Sequence, residues 1–503
     1  MYGGDVPLVE RRFALAAVAA AVLLSVLFEG VRHDDAYITY RYAENLARGN
    51  GPVFNPGERV LGTTAPGHML LGALLYPVVG KAALPSMMAM LGCLGWVLQA
   101  LAAFAILAAA FSYPVAAFGG AAVLAGMAGS SGVVALETNL VAACALWSLA
   151  LAIRSRWLGA FVWAALAGLF RPDAYLVTLL VAVACLVETR RIPWRAAAAW
   201  CAITLPWQLF ALLYYGSVLP RPAVVKHARN PFGDYLVHEL GHPVETLFGS
   251  GGAAALAAAW LLFAAGACAL RARGRRLWLV PAYGALHFLA YAWLRPFRSH
   301  TWHLYPLCVV AALLSIASLG WAAERVRSSA ARSGFAVTGG LVVALYAWRT
   351  AGETQGYRTA YWGGARDAVY RAAADFLAQH ARADDLVGAL EVGTIGYDSE
   401  RPMYDWGGLV TVDPIPSWPA VPRLRWIVVD PLYEDWAWGL IPVRRFRSAG
   451  FTASVYSIEW MKSAVQTVMK RHGERSPSAA LNAYRGEVAE ELQRLASTAP
   501  THE

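Results

Sequence analysis

Charge is scarce in this chain. Asp, Glu, Lys and Arg make up 15% of its 503 residues, where ordinary soluble domains carry about 25%, and 58% of the residues are hydrophobic. Apolar runs of about 17–25 residues recur along the first 350 positions, and a helix of that length crosses the hydrocarbon core of a bilayer. This composition excludes an ordinary soluble protein and predicts a polytopic membrane protein.

The chain also lacks the short motifs that mark several classes of enzyme. None of its six cysteines belongs to a CxxC pair, and no nucleophile elbow, Walker loop or zinc-ligand spacing is present. The formal net charge of +9 does not indicate a nucleic-acid partner, because the arginines lie mostly in short clusters between apolar runs. No cofactor is required by any of these patterns.

The arginine clusters orient the predicted helices. By the positive-inside rule the basic loops lie in the cytoplasm, and each successive pair encloses about two apolar runs. Segment 66–82 breaks this alternation, so we expect a re-entrant or surface-lying helix that begins at Pro66 and breaks near Gly80. The other runs predict about eleven crossings, N-terminus inside and C-terminus outside. They lie near residues 13–29, 86–110, 112–128, 133–153, 157–170, 173–188, 195–215, 250–270, 277–294, 301–321 and 334–350.

This orientation brings the polar residues of the membrane domain to one side. The first outer loop, 32–85, carries an adjacent pair of carboxylates, and ionisable groups at a membrane boundary are costly unless they serve a function. The same side is expected to receive Asp34, Asp35, Glu137, Arg171, Asp173, the loop 216–250 and the segment 295–303. A random distribution would scatter such residues over both faces, so we expect a chemical site at the outer surface.

The last part of the chain changes character, and charge rises after residue 350. The pattern predicts a membrane domain over 1–350 and a small extracytoplasmic α/β domain over 351–503. Strands are expected at Asp385–Leu390, Ile395–Tyr397 and Trp426–Asp430, and helices over 365–378 and 476–503.

The Asp34–Asp35 pair is open to three interpretations. The two residues can form the N-cap of a helix over 36–48, where Asp is favoured. A carboxylate fixed at a helix start can also act as a general base on a hydroxyl group. The pair could contribute to a divalent-cation site, but two ligands are too few to predict one.

Cationic groups near the same side are candidates for binding phosphate, with lipid headgroups as the alternative ligand. A buried Glu137 is expected to face a cavity or a cation, and Arg171 is expected to neutralise Asp173 in part. His303 belongs to an aromatic and basic cluster that an interfacial belt explains equally well. The substrate-binding candidates are Arg41, Glu137, Arg171, Asp173, Lys226, Arg298, His300 and His303.

The order of these motifs resembles the GT-C glycosyltransferases, and most closely the bacterial group that includes the mycobacterial terminal arabinofuranosyltransferases. The first-loop segment 33–60, beginning HDDAYITYRY, is the most specific match. Further matches follow in family order at Leu136–Thr138, Phe170–Asp173, Tyr214–Pro220 with Lys226, Trp302–Leu307, Gly393–Tyr397 and Tyr404–Leu409. The resemblance covers roughly residues 10–415.

The resemblance implies an enzyme of the bacterial plasma membrane that takes a monosaccharide from a polyprenyl-phosphate donor. A glycan or lipid of the cell envelope would be the acceptor, and membrane lipids would surround the protein. A first-loop aspartate would be the base of an inverting displacement, with Asp34 preferred and Asp35 either as its alternate or as a group that orients the acceptor. Lys226, Arg171 and Arg298 would contact phosphate, and Glu137 would position sugar or a cation.

Two departures from the family pattern bear on the substrate. Pro220 is followed by Arg221 and Pro222 where the family often has Pro-Asn-Thr, and Asp173 stands where Glu is common. Contacts to the donor can therefore differ, and the sugar need not be arabinose.

A secondary transporter or lipid flippase is the main alternative to a glycosyltransferase, although transporter sites usually lie near the bilayer midplane. A catalytically inactive scaffold is a third interpretation.

Overall fold

The computed structural model describes residues 26–126, 134–227, 231–296, 301–326, 328–412, 421–430 and 440–498, with residues 19, 23 and 24 before them. Its helical part begins with α1 (Asp34–Ala47) and α2 (Pro66–Leu107). The helices that follow are α3 (Tyr113–Leu124), α4 (Thr138–Ile153), α5 (Trp157–Phe170), α6 (Tyr175–Thr189), α7 (Trp194–Tyr215), α8 (Arg221–Val225), α9 (Phe232–Phe248), α10 (Ala253–Arg273), α11 (Leu279–Leu294), α12 (Thr301–Ala323) and α13 (Ser329–Thr359).

These helices are those of a multi-pass membrane protein. Among the described residues, five segments are long and apolar enough to cross a membrane, and four shorter apolar helices accompany them. The five are α2, Pro172–Thr189, α7, α10 and α12. A helix is present at each predicted crossing from 86–110 onward. The first crossing, 13–29, lies largely outside the described residues, so the total of eleven stays a prediction.

Helix α2 contains two predicted segments. They are 66–82, which did not fit the alternation of basic loops and crossings, and the crossing near 86–110. Its backbone leaves the helical region at Gly80, where φ is 73° and ψ is 172°. Only glycine adopts a positive φ at little cost, so the chain turns there between two helical halves. The predicted break near Gly80 is confirmed.

Helix α9 lies in the segment 216–250, which the sequence analysis treated as a loop. It buries Tyr235, Glu239, Pro243 and Leu247 on one face, and these residues follow the spacing of about four that places side chains on one side of a helix. Its polar residues lower its mean hydropathy, so a search for long apolar runs does not find it.

Small residues allow the apolar helices to pack closely. A Cβ atom on Gly92 of α2 would overlap the carbonyl of Val134, and one on Gly95 would lie 2.8 Å from the Leu140 amide nitrogen. Close backbone approach at glycine and alanine is the usual packing of helices in membranes. This packing holds the N-terminal end of α4, and therefore Glu137, beside α2.

The C-terminal part contains a five-stranded mixed sheet in the order β2-β1-β3-β5-β4. Strand β1 pairs in parallel with β2 and β3, whereas β5 is antiparallel to β3 and β4. Its elements are α14 (Arg366–His380), β1 (Leu386–Ala389), α15 (Gly393–Ser399), β2 (Met403–Asp405), β3 (Leu424–Val429), β4 (Arg444–Ser448), β5 (Phe451–Ser457), α16 (Ile458–His472), α17 (Pro477–Ala483) and α18 (Arg485–Thr498).

Most of the predicted C-terminal elements are present, and one is wrong. The expected strands at 385–390 and 426–430 correspond to β1 and β3, and the expected helix at 365–378 corresponds to α14. The expected strand Ile395–Tyr397 belongs to helix α15, whose first N–H groups are bound by Asp34. A tertiary contact therefore overrides the local β preference at this segment.

The C-terminal domain is held against the first loop by buried polar contacts. The amide side chain of Asn55, which is 3% exposed, pairs with the backbone of Met403, donating to its oxygen at 2.8 Å and accepting from its nitrogen at 2.9 Å. Glu400 adds ion pairs with Arg48, at 3.1 Å, and with Lys81. The two parts of the chain therefore share one polar interface.

We expect Asn55→Ala to weaken this interface. The substitution leaves both backbone groups of Met403 buried without their partner, and each such group costs about 1–3 kcal/mol. Thermal unfolding of the purified protein in detergent measures the effect. Asn50→Ala, which removes an exposed amide hydrogen-bonded to Asn45 at 3.2 Å, is the control. Equal melting of the two variants would contradict the importance of the Asn55 contact.

Candidate functional site

A cavity of about 330 Å³ opens where several loops and helix ends meet. Asp35 enters it from the first turn of α1, and Thr63 from the loop before α2. Glu137 is the N-cap residue of α4, Lys226 is the C-cap residue of α8, and Leu409 comes from the C-terminal domain. The cavity is therefore built from segments distant in sequence.

Six of the ten predicted site residues line this cavity, and they are Asp35, Glu137, Arg171, Asp173, Lys226 and His303. Two others, Arg298 and His300, lie outside the described residues. The remaining two, Asp34 and Arg41, are buried behind the cavity lining. The expectation that these polar groups converge is borne out for the six.

Asp34 and Asp35 have different surroundings. The Asp34 carboxylate is 5% exposed and accepts hydrogen bonds from the backbone nitrogens of Gly393, at 3.1 Å, and Thr394, at 2.8 Å. Asp35 is half-buried and faces the cavity. The geometry therefore favours Asp35 as the residue that meets a substrate, although the sequence analysis ranked Asp34 first.

The expected N-cap role of the pair is wrong. The N-cap residue of α1 is His33, whose side chain makes no capping bond, and both aspartates lie within the first helical turn. Their charge there suits the helix dipole. Asp34 instead binds the first N–H groups of α15, a helix of the other domain that has no side-chain cap of its own.

Arg171 and Asp173 form a buried ion pair beside the cavity. The Arg171 Nε atom donates to Oδ1 of Asp173 at 2.9 Å, and a second bond joins Nη2 to Oδ2. Arg171 also donates to the Trp302 carbonyl at 2.9 Å, and the Tyr291 hydroxyl donates to Asp173 at 2.7 Å. The predicted neutralisation of Asp173 by Arg171 is confirmed, and the Arg171 guanidinium is held in place at the cavity wall.

Lys226 is the less constrained cation. It is half-buried and lines the cavity, and its side chain has no hydrogen-bond or ion-pair partner among the described residues. An ammonium group without a counter-charge is available to an anionic ligand. Glu137, 7% exposed, faces the same space from the start of α4. The cavity thus presents acidic and basic groups together.

The contacts of Arg41 are structural. Its guanidinium donates to the carbonyl oxygens of Phe54 and Arg401, each at 2.8 Å, and to that of Gly396. These carbonyls belong to the first loop and the C-terminal domain, so Arg41 joins the two. Its predicted substrate contact finds no support in this geometry.

Two features of the site were missed by the sequence analysis. Tyr291 of α11 lines the cavity and donates its hydroxyl to Asp173, but a tyrosine near a helix end is ordinary for a membrane protein. Glu391, in the loop between β1 and α15, brings a carboxylate oxygen to within 4.8 Å of one from each first-loop aspartate. No local pattern connects residues so far apart in sequence.

The three carboxylates could hold a divalent cation through oxygen ligands. A protein cation already lies beside them, since Arg366 pairs with Glu391 at 3.4 Å. Burial raises the pKa of Glu391 to about 8, an effect that Arg366 opposes and the two aspartates reinforce. The cluster can therefore be neutralised by Arg366 and a proton as well as by a metal.

We expect Asp173→Asn to destabilise the protein by about 3–5 kcal/mol, because it leaves the Arg171 guanidinium buried without its counter-charge. The double variant Arg171→Gln/Asp173→Asn has no unpaired charge and should recover part of the loss. Thermal unfolding in detergent compares the two, with the exposed Asp375→Asn as control. Equal loss in the single and double variants would show that the ion pair does not act as a unit.

Solved structures with the same fold are known. ArnT from Cupriavidus metallidurans, bound to undecaprenyl phosphate, is 16% identical with a TM-score of 0.59, over 88% of this chain and 97% of ArnT. The oligosaccharyltransferase AglB from Archaeoglobus fulgidus, in complex with an inhibitory peptide and a dolichol-phosphate, is 11% identical with a TM-score of 0.56. That match covers 84% of this chain and 70% of AglB.

Comparison by sequence matches less of the chain than comparison by fold does. Residues 356–456 match a domain of unknown function, DUF8728. No curated protein matches the chain. At these identities the two structures show a shared fold. The closer resemblance to arabinofuranosyltransferases stays a prediction.

Proposed function

We propose that this chain is an integral-membrane glycosyltransferase that transfers a monosaccharide from a polyprenyl-phosphate donor to a glycan or lipid acceptor of the cell envelope. The observation that carries the proposal is the cavity, which holds the Asp35 carboxylate together with Lys226 and Arg171. Removing a proton from an acceptor requires a base, and charge developing on a departing phosphate requires cations. The shared fold with ArnT and AglB supports a lipid-phosphate donor.

The chemistry needs only one proton transfer. The acceptor hydroxyl gives its proton to Asp35 while its oxygen forms a bond to the anomeric carbon of the donor sugar. The bond between that carbon and the phosphate oxygen breaks, and its electron pair leaves with the lipid phosphate. A phosphate needs little protonation to leave, so Lys226 and Arg171 suffice to stabilise its charge. Direct displacement inverts the anomeric centre.

We assign the base to Asp35 rather than Asp34 because of their hydrogen bonds. Both oxygens of Asp34 are engaged by backbone N–H groups behind the cavity lining, so they are not presented to an acceptor hydroxyl. Asp35 faces the cavity and lies in the same helical turn. Glu137, which lines the same cavity, is assigned to a sugar hydroxyl.

The proposals for the location and for the class of sugar rest on the sequence. The resemblance supports a bacterial plasma-membrane protein, and the arginine clusters support a site and C-terminal domain on the extracytoplasmic side. The sugar is a pentose or hexose, with arabinofuranose suggested by the resemblance alone. A cavity of about 330 Å³ lies at the lower end of the range of about 300–1,000 Å³ for small-molecule sites, which suits one sugar and its phosphate.

A transporter or lipid flippase is less consistent with this geometry. Transporter sites usually lie near the middle of broken helices, whereas most polar residues of this cavity lie at helix ends or in loops. The contacts between the first loop and the C-terminal domain also need an explanation that transport does not provide. Transport assays become relevant if no donor supports turnover.

We expect Asp35→Asn to lower kcat by about 10²–10⁴-fold, because the amide cannot accept the acceptor proton. Transfer of labelled sugar from a panel of synthetic polyprenyl-phosphate donors measures the rate. Asp34→Asn is the matched variant, and it should lower thermal stability more than Asp35→Asn does. Loss of turnover in a well-folded Asp34→Asn protein, with Asp35→Asn active, would reverse the assignment.

We expect Lys226→Gln to raise the KM for the donor by about 10–100-fold, because a charge-assisted bond to phosphate contributes about 1.5–3 kcal/mol. The effect should shrink as salt is added, since screening weakens the same attraction in the wild type. Lys462→Gln, at an exposed position of α16, is the control. An unchanged donor KM would exclude Lys226 from the phosphate site.

A further inference from the structure

Two histidines on helix α9 have the spacing of a metal site. His238 and His242 are four residues apart in the run HELGH, so they lie one turn apart on the same side of the helix. Two histidines at this spacing on a helix are a recurrent pair of zinc ligands. The sequence analysis recognised no zinc-ligand spacing and treated 216–250 as a loop, where such a spacing has no meaning. The helix corrects that result.

The two imidazole rings are close enough to share one ion. Their centres lie 5.5 Å apart, with an angle of 33° between the ring planes. Two imidazoles on one tetrahedral zinc ion, with Zn–N distances of about 2.0–2.1 Å, have ring centres about 5 Å apart. The Nε2 atom of His242 is buried from solvent and has no hydrogen-bond partner among the described residues. A buried ring nitrogen without a partner is a group that a ligand would satisfy.

Carboxylates lie beside the histidines on the same side of α9. Glu245 follows His242 by three residues, and these positions are neighbours on a helix surface. Asp234 precedes His238 by four residues, at the other end of the pair. Gly241 leaves room between them, since a Cβ atom there would lie 3.8 Å from Oε1 of Glu245. The charge of Glu245 also acts on His238. Two imidazoles and one carboxylate are a known set of zinc ligands.

The ligand side of α9 is open enough to take up an ion. His238 and Glu245 are exposed, and His242 is half-buried. Among the described residues, no three ligand atoms of α9 lie within 4.8 Å of one another. Binding therefore requires the Glu245 side chain to turn toward the rings, and exposed side chains change rotamer within nanoseconds. The backbone of the helix need not move.

The acid between the two histidines lies on the other side of the helix. Glu239 is 0% exposed and shares the buried face of α9 with Tyr235, which packs against Tyr291 and Leu304. In metalloproteases with the HExxH pattern this glutamate is the general base, so it must meet the metal-bound water and the substrate. A peptide cannot reach a glutamate buried in this way. The geometry therefore indicates a binding site and not a hydrolase centre.

We propose that α9 carries a zinc-binding site in which His238 and His242 are ligands, Glu245 is the third ligand and water is the fourth. None of these three residues lines the cavity. Imidazole nitrogens suit Zn²⁺, whereas Mg²⁺ prefers oxygen ligands, so the site also differs in its metal from the carboxylate cluster of the first loop. The ion would brace the exposed side of a helix whose buried side packs against Tyr291, a residue of the cavity wall.

The first test is the binding of Zn²⁺ alone to the purified full chain in detergent, after removal of the affinity tag and treatment with a chelator. Isothermal titration calorimetry should give about one Zn²⁺ per chain. Glu245→Gln should weaken binding by about 10–100-fold, and His238→Ala and His242→Ala should each weaken it further, because each removes a ligand nitrogen. Excess Mg²⁺ should not compete with Zn²⁺.

Two variants serve as controls for the binding measurement. His472→Ala removes a histidine that is hydrogen-bonded to Glu487 at 2.9 Å, far along the chain from α9. Glu391→Gln removes one carboxylate of the first-loop cluster. Both should bind Zn²⁺ as the wild type does.

The second test separates loss of binding from loss of folding. Without metal, His238→Ala should melt within about 2 °C of the wild type, because an exposed side chain contributes little to stability. Saturating Zn²⁺ should raise the melting temperature of the wild type and not that of the variant, because a ligand stabilises the state that binds it.

Three results would overturn the proposal. A wild-type chain that binds no Zn²⁺ would show that these side chains do not form a site. Unchanged binding in the double variant His238→Ala/His242→Ala would place the ion elsewhere. Binding that is lost in Glu391→Gln and kept in the double variant would assign the ion to the carboxylate cluster. None of these measurements depends on turnover, so the proposed glycosyl transfer is tested separately.

Discussion

The two hydrogen bonds from the start of α15 to the Asp34 carboxylate are the contact on which the site depends. They join the C-terminal domain to the first loop at the first residue of α1, one position before Asp35. A change in this contact therefore moves the cavity wall and the neighbouring carboxylates together. Asn55 and Arg41 strengthen the same junction farther along the first loop.

This junction explains why two adjacent aspartates can have unrelated tasks. Successive residues of a helix point about 100° apart, so the side chains of Asp34 and Asp35 leave α1 in different directions. One binds backbone N–H groups behind the cavity, and the other lines it. The sequence shows two equivalent acids, and only the position of α15 distinguishes them.

The sequence predicted the helices and the convergence of polar residues because these depend on local patterns. Apolar runs and arginine clusters indicate where helices lie, and helix ends that share a side of a bundle bring their loops together. Glu137, Arg171 and Lys226 were found in this way. Glu391 was not, because it lies more than 350 positions from Asp35 and follows an ordinary β-strand.

Other predictions failed because they depended on side-chain directions and on tertiary contacts. Arg41 was expected at the substrate because it is a cation in the right loop, but its guanidinium is engaged by three carbonyl oxygens. The segment Ile395–Tyr397 was expected as a strand, and the cap that Asp34 supplies makes it helical. Both errors arise at the junction between the domains, where each part of the chain completes the hydrogen bonds of the other.

The same junction makes the charge of the site a property of the whole molecule. On the proposed function, a base must be ionised next to a site that binds a phosphate anion, and every additional negative charge opposes both requirements. Fixed backbone N–H groups and Arg366 each reduce that negative charge without entering the cavity. The domain that docks on the first loop therefore supplies the electrostatic conditions under which Asp35 can act.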